Sequence, residues 1–296
     1  MVPNPVKETH IHQAGVRRAF SRAATSYDAH AVLQREIADR LLEHISFTRI
    51  EPRRILDVGC GTGYFTRLLR GKFTRAGITA CDISESMLQQ TRCNQPRRWP
   101  WHGRSDHCAG DAAALPFRDG SFDLVTSNLA MQWVAEPEQM LREMRRVLAP
   151  GGLMLFSTFG RRTLGELRQS LASIQPERAG HVLPFPDVTS LGDALMRLPV
   201  EMSVTDSDLF TLTYPDTISL VRELKGLGAS AAAIRGRASG LYGPSLIKRL
   251  DHSYSAAHRD ADGRIRATFE ALYGQAWYRQ EGYEHRSGAI PIRVAD

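Results

Sequence analysis

Short apolar runs alternate with amphipathic stretches along the first half of the chain. From Val16 to His44, Phe20, Tyr27, Leu33, Ile37, Leu41 and Leu42 recur at helical spacing and predict a helical N-terminal segment. Residues 1 to 15 read as a loose leader. Arg53 to Val58 is a compact apolar run that predicts a first strand, and Thr62 to Leu69 a crossover helix. Gly77 to Asp82 predicts a second strand ending in an acid, with Ser84 placed to cap the helix that carries Met87. His107 to Gly110 and Ser121 to Ser127 predict strands three and four. Pro137 to Leu148 turns Met140, Leu141, Met144, Val147 and Leu148 to one face of a helix, and Pro150-Gly151-Gly152 reads as a turn into a fifth strand, Leu153 to Thr158. This alternation predicts an α/β fold, a doubly wound and mostly parallel sheet.

The pattern changes after Thr163. Helices are expected at Thr163 to Ala172, Val188 to Leu198, Asp216 to Leu227 and Pro244 to Ser255, with strands at Val200 to Tyr214 and Ile265 to Tyr278. The two late strands are expected to pair antiparallel at the sheet edge. The expected organisation is a helical lid (1–45), a Rossmann-like core (46–160), a helical cap with one edge strand (161–255) and a final core strand with a tail (256–296). The segment Asn94 to Asp106, with Trp99 and Trp101, reads as a surface loop, because helix-to-strand loops lie at the amino ends of parallel strands and ligands bind at the carboxyl ends.

Composition narrows the class. Hydrophobic residues make up 42% of 296, enough for a sizeable core without disulfides. The four cysteines (Cys60, Cys81, Cys93, Cys108) show no zinc spacing and suit small buried thiols, so no metal is expected. No signal peptide or long apolar span is visible, which makes a cytoplasmic protein with no membrane the expectation. The net charge is +6, with 34 of 38 basic residues arginine. These are scattered, with no run and no RNA-binding aromatic motif, so nucleic acid is not expected as a partner.

Candidate chemistry centres on Ile55 to Gly63, Ile-Leu-Asp-Val-Gly-Cys-Gly-Thr-Gly. Three alternate glycines after Asp57 allow a sharp turn under a ligand and close approach of backbone amides. No Gly-Lys-Ser/Thr follows, which disfavours a phosphate cradle. The spacing resembles the S-adenosylmethionine (SAM) loop of class I methyltransferases. That resemblance makes SAM the expected cofactor, bound by Asp57, Gly59, Gly61, Gly63, Asp82, Ile83 and Met87, with the glycines at its methionine half and Asp82 at its ribose. Asp111 and Ala112 would meet the adenine and Asn128 would lie under the sulfonium. Each acid has a plainer alternative, capping the next helix; together they form an ordered set at successive strand ends.

Ala19-Phe20-Ser21-Arg22-Ala23-Ala24 with Ser26-Tyr27, then Leu33-Gln34-Arg35-Glu36, resembles the N-terminal segment of the malonyl-acyl-carrier-protein O-methyltransferases of biotin synthesis. So do Asn128-Leu129-Ala130-Met131-Gln132-Trp133, Ser157 to Gly160, Leu224-Lys225-Gly226-Leu227-Gly228-Ala229 and Tyr273 to Trp277. The resemblance runs from about Val16 to Trp277. It implies methyl transfer from SAM to the free carboxylate of a malonyl thioester, a nucleophile already ionised at neutral pH. Under it Tyr27 either orients the acceptor or packs the lid, and Gln132 and Trp133 shape the acceptor pocket, with a core tryptophan the alternative for Trp133. Arg161 and Arg162 are the expected docking residues for an acidic carrier protein, or a solvated helix start. Two alternatives remain: an enzyme acting on protein side chains, akin to complex I assembly factors, and a SAM-binding scaffold without turnover.

Overall fold

The structure is a computed structural model that describes residues 11–95, 103–175, 183–229 and 244–278. The N-terminal segment forms α1 (Gln13–Ala23), α2 (Tyr27–His30) and α3 (Val32–Ser46), not one continuous helical run. The breaks fall at Ala24 to Ser26 and at Ala31, whose ψ of 39° lies outside the helical range. The core follows as β1 (Arg54–Val58), α4 (Tyr64–Lys72), β2 (Gly77–Asp82), α5 (Glu85–Asn94), β3 (Ser105–Ala109) and β4 (Phe122–Asn128). A single 3-10 turn (Met131–Trp133) precedes α6 (Pro137–Val147) and β5 (Leu148–Phe159). Then come α7 (Gly165–Ile174), α8 (Val188–Met196), β6 (Val200–Tyr214), α9 (Thr217–Gly226), α10 (Pro244–His258) and β7 (Ile265–Tyr278).

Among the described residues seven strands make one sheet in the order β3-β2-β1-β4-β5-β7-β6. The first five are parallel; β7 runs antiparallel to both β5 and β6. The expected doubly wound sheet with a late antiparallel pair is therefore present. Two core strands start earlier than expected: β3 at Ser105, inside the expected Asn94 to Asp106 loop whose first residue ends α5, and β5 at Leu148. Phe122 pairs with Leu148 and Leu124 with Leu153, so the expected Pro-Gly-Gly turn is an irregular bulge inside the strand.

The strands are buried on both faces because helices cover both. Ile55, Leu124, Leu153 and Leu155 point to a core shared with α3 and α4. Leu56, Val125, Met154 and Phe156 point to the other, shared with α6 and α8. Strand-to-strand alternation thus sorts one apolar run into two cores. Neighbours β1 and β4 lead to helices on opposite faces, and the crevice at their carboxyl ends is where this architecture places ligands. The Trp99 and Trp101 segment falls outside the described residues.

Candidate active site

At that crevice lies a cavity of about 650 Å³ lined by Tyr27, Gly59, Gly61, Asp82, Ile83, Met87, Asp111, Ala112, Asn128 and Trp133, among others. A second lobe of about 430 Å³ shares Tyr27, Gly59, Gly61 and Asn128 and adds Asp57, Cys60 and Thr62. Ten of the expected residues line the first lobe, and Asp57 joins through the second. Gly63 and Gln132 line neither.

The glycine loop explains its own composition. Gly59 has φ +70°, and a Cβ there would sit 2.3 Å from the Ala130 Cβ. Only glycine lets β1 turn this close to the end of β4. Gly61 faces open space within 4 Å of where its Cβ would lie, a cradle beside the cavity. Gly63 (φ +83°) does a different job: its Cβ position is 2.6 Å from Thr91 on α5, so it packs the start of α4 against that helix.

Three acids converge on the cavity. Asp82 is buried, and its two oxygens accept from the Gly61 N–H (2.9 Å) and the Ser84 N–H (2.8 Å). Burial raises its pKa, and those two backbone bonds oppose the rise. Asp57 accepts from the Thr66 hydroxyl at 2.5 Å through Oδ2, while its buried Oδ1 has no partner among the described residues. Burial pushes the Asp57 carboxyl up to about 7, opposed by Thr66, reinforced by Asp82 and opposed again by the neighbouring Thr126 hydroxyl. Asp111 accepts from the Ala113 N–H (2.9 Å), so the turn-capping alternative holds for one of its oxygens. Glu143 and Arg146 brace the following segment by bonds to the Leu115 N–H and to the Leu115 and Phe117 carbonyls. Among the described residues lining the first lobe none is Lys, Arg or His. An acid-rich, apolar hollow with an unpartnered buried carboxylate oxygen suits a cationic guest with a polar rim.

The lid roofs this hollow. Val16, Phe20 and Tyr27 line the first lobe from α1 and α2. Phe20 meets Trp133 edge-on at 5.4 Å and Tyr27 at 6.5 Å. The Thr62 hydroxyl donates to Asp28 (2.6 Å), Asn94 donates to the same carboxylate (3.3 Å), and Ser21 bonds Ser84 (2.9 Å). These clasps tie the lid to the glycine loop and to α5. Burial first, then Asp82 and Asp28, hold the Tyr27 hydroxyl protonated well above its ordinary range, so it is a hydrogen-bond donor at the junction of the two lobes.

The end of β4 is a braced, left-handed turn. Asn128 donates to the Gln34 carbonyl (3.1 Å) and accepts from Ser157 (2.7 Å), tying α3 to β4 and β5. Leu129 sits at φ +51°, which costs a non-glycine residue about 1–2 kcal/mol. Gln132 holds it there: its amide donates to the Leu129 carbonyl (2.7 Å) and its carbonyl accepts from Thr158 (3.2 Å). Gln132 thus braces the turn from inside, and Trp133 alone of the expected pair lines the cavity. Replacing Gln132 with alanine orphans two buried groups, a loss of about 1–3 kcal/mol. Thermal unfolding is expected to drop by several degrees; an unchanged Tm would deny the brace.

Arg161 and Arg162 lie on the exposed segment after β5 and line none of these hollows. Arg161 pairs with Asp187 at 3.4 Å. The contributions of Val16, Phe20, Asp28 and Asn94 were not anticipated from sequence. For Val16 and Phe20 the signal is the apolar face of the N-terminal segment; Asp28 and Asn94 carry none.

The chain matches the family described as a methyltransferase domain over residues 56–156. It is 44% identical to a malonyl-[acyl-carrier protein] O-methyltransferase of Halorhodospira halophila over 93% of this chain and 90% of that protein. A protein of the same name from Methylovorus is 39% identical over 96% and 95%. Among solved structures, a candidate methyltransferase of Bacillus halodurans superimposes with a TM-score of 0.57 at 17% identity, covering 82% of this chain and 99% of that one, a likeness of fold. By this kinship along nearly its whole length, the chain belongs to the malonyl-[acyl-carrier protein] O-methyltransferase family.

Proposed function

We propose that this protein transfers a methyl group from SAM to the free carboxylate of malonyl-acyl-carrier protein, giving the methyl ester that primes biotin synthesis. Family membership over nearly the full chain carries the reading. The site chemistry supports it. SAM supplies an electrophilic methyl on a sulfonium. The malonyl carboxylate supplies the electron pair; the S–CH3 bond breaks as the O–CH3 bond forms, and no proton moves. No general base is needed, and at the cavity burial raises Asp57 and Asp82 and keeps Tyr27 protonated.

In this reading the unpartnered Asp57 oxygen receives the donor's ammonium and Asp82 the ribose hydroxyls. Ile83, Met87, Asp111 and Ala112 surround the adenine, and Asn128 lies near the sulfonium. Tyr27 donates to the acceptor, and Trp133 with Phe20 excludes water beside it. No arginine or lysine is among the described residues lining the first lobe, while Arg35 lines the second, so a carboxylate held in the first lobe is oriented without a charge clamp that would stabilise the ground state. Tyr27→Phe is expected to lower kcat about tenfold or more while SAM binds as before; a normal kcat would remove Tyr27 from the reaction.

Asp57 also sets a pH dependence. Its carboxyl titrates near 4 unfolded and at about 7 folded. Between those values the native state keeps a proton that the unfolded chain has lost, so this group's contribution to stability falls as pH rises through that window. A bound ammonium favours the ionised form. SAM affinity is therefore expected to rise through about pH 7, and Asp57→Asn to flatten that rise; an identical slope in the variant would contradict the assignment.

An acceptor series tests the function. Labelled SAM should mark malonyl-carrier protein and leave acetyl-carrier protein, which lacks the carboxylate, unlabelled. Label on protein side chains would favour the side-chain reading, and binding without transfer the scaffold.

A further inference from the structure

We infer that the outer face of α1, bearing Arg17, Arg18 and Arg22, is the surface on which the acidic acyl carrier protein docks. The inference rests on the malonyl-carrier reading above and names the surface that reading requires. The helix is two-faced. Val16, Ala19 and Ala23 are buried and Val16 and Phe20 line the donor cavity, while the three arginines are exposed on the other side. Its sequence, Gln-Ala-Gly-Val-Arg-Arg-Ala-Phe-Ser-Arg-Ala, contains no acid. None of the three guanidinium groups has an ion-pair or hydrogen-bond partner among the described residues. Several cations elsewhere on the surface are already engaged: Arg40 with Glu36 and Asp208, Arg146 with Glu143 and Asp119, Arg197 with Glu138, Arg161 with Asp187.

The arginines edge an open groove of about 1210 Å³ whose far wall is Ile83, Glu85, Ser86, Ala109, Gly110 and Asp111. Ile83, Gly110 and Asp111 also line the donor cavity, so groove and cavity adjoin through one wall. Two acids face the three cations. Asp111 already accepts from the Ala113 N–H, and Glu85 sits in the first turn of α5, where the helix dipole offsets its charge. The arginine edge therefore keeps its positive field for a partner. A carrier protein presents acidic helices and a prosthetic arm joined through a phosphodiester, both anionic. Arginine suits such groups through planar, bidentate contacts. A carrier seated here would press on the same helix that roofs the reaction, and Ser21 on that helix is already bonded to Ser84 beside Asp82. Recognition of the carrier and closure of the lid would then share one element.

The test compares malonyl-carrier protein with malonyl-pantetheine, which has the thioester and carboxylate but neither the phosphate nor the protein. Arg17→Glu, Arg18→Glu and Arg22→Glu together are expected to lower kcat/KM for the carrier substrate at least about tenfold at low salt, through KM. The same variant should change malonyl-pantetheine methylation less than about twofold and bind SAM normally. Raising salt should slow the wild type on carrier protein and leave the variant nearly unaffected. The glutamine triple variant, with an expected smaller loss of the same kind, serves if the charge reversal does not fold. Equal losses on both acceptors, no loss on either, or a carrier-specific loss from Arg161→Glu/Arg162→Glu instead would overturn the surface. If the wild type methylates neither acceptor, the enzymatic reading has failed, and that outcome is visible before any variant is made.

Discussion

Asp82→Ala is expected to weaken SAM binding by about 2–4 kcal/mol, roughly thirty- to several-hundredfold in Kd. The residue ends β2 and is buried at the cavity wall, with its oxygens held by the Gly61 and Ser84 amides. It therefore does two things at once. It fixes the glycine loop, and it offers lone pairs to two vicinal hydroxyls. Removing it orphans two backbone donors and the ligand's diol together, which explains a loss larger than one hydrogen bond. Asp82→Asn keeps one acceptor and should lose less. Calorimetric titration reads the difference directly. Wild-type affinity in Asp82→Ala would mean that the donor binds elsewhere.

Gly59→Ala should damage the donor site by strain and crowding together. The left-handed backbone alone costs about 1–2 kcal/mol for alanine. The new Cβ would also lie 2.3 Å from the Ala130 Cβ, an atom rigidly attached to backbone, and overpacking of that kind adds about 1–3 kcal/mol. Relief requires the loop or the β4 turn to move, and both line the cavity. SAM affinity is expected to fall by about a hundredfold or more. Gly120→Ala supplies the control. Its φ is +62°, but its nearest neighbour would be 3.8 Å away, at Ala149, remote from the cavity. It should lower stability and leave SAM binding intact. If the two variants behave alike, strain and not crowding at the site governs the Gly59 effect.

Much of this arrangement was legible before any coordinates. Strands buried on both faces must be near-continuous apolar runs, so Ile55 to Val58 and Leu124 to Val125 announce themselves. Acids at successive strand ends are legible because parallel topology brings every carboxyl end to one side. The pieces that escaped are those set by long-range partners. Thr62 meets Asp28 across 34 positions and Asn94 meets the same carboxylate across 66, with no local pattern to mark either. Gln132 looked like a pocket residue because it adjoins Trp133, yet a 3-10 turn sends neighbouring side chains to different places. Gly63 belongs to the motif by spacing and to helix packing by geometry. The start of β5 is hidden in the sequence because Pro-Gly-Gly has turn composition, while the pairing of Phe122 with Leu148 keeps the strand going around a bulge.

The most direct test of the account is the intact mass of malonyl-acyl-carrier protein after incubation with this protein and SAM. The account predicts a gain of one methylene on the acyl group, released together with that group when the thioester is cleaved, and absent with acetyl-carrier protein. An unchanged malonyl mass, with SAM bound and the protein folded, would contradict it.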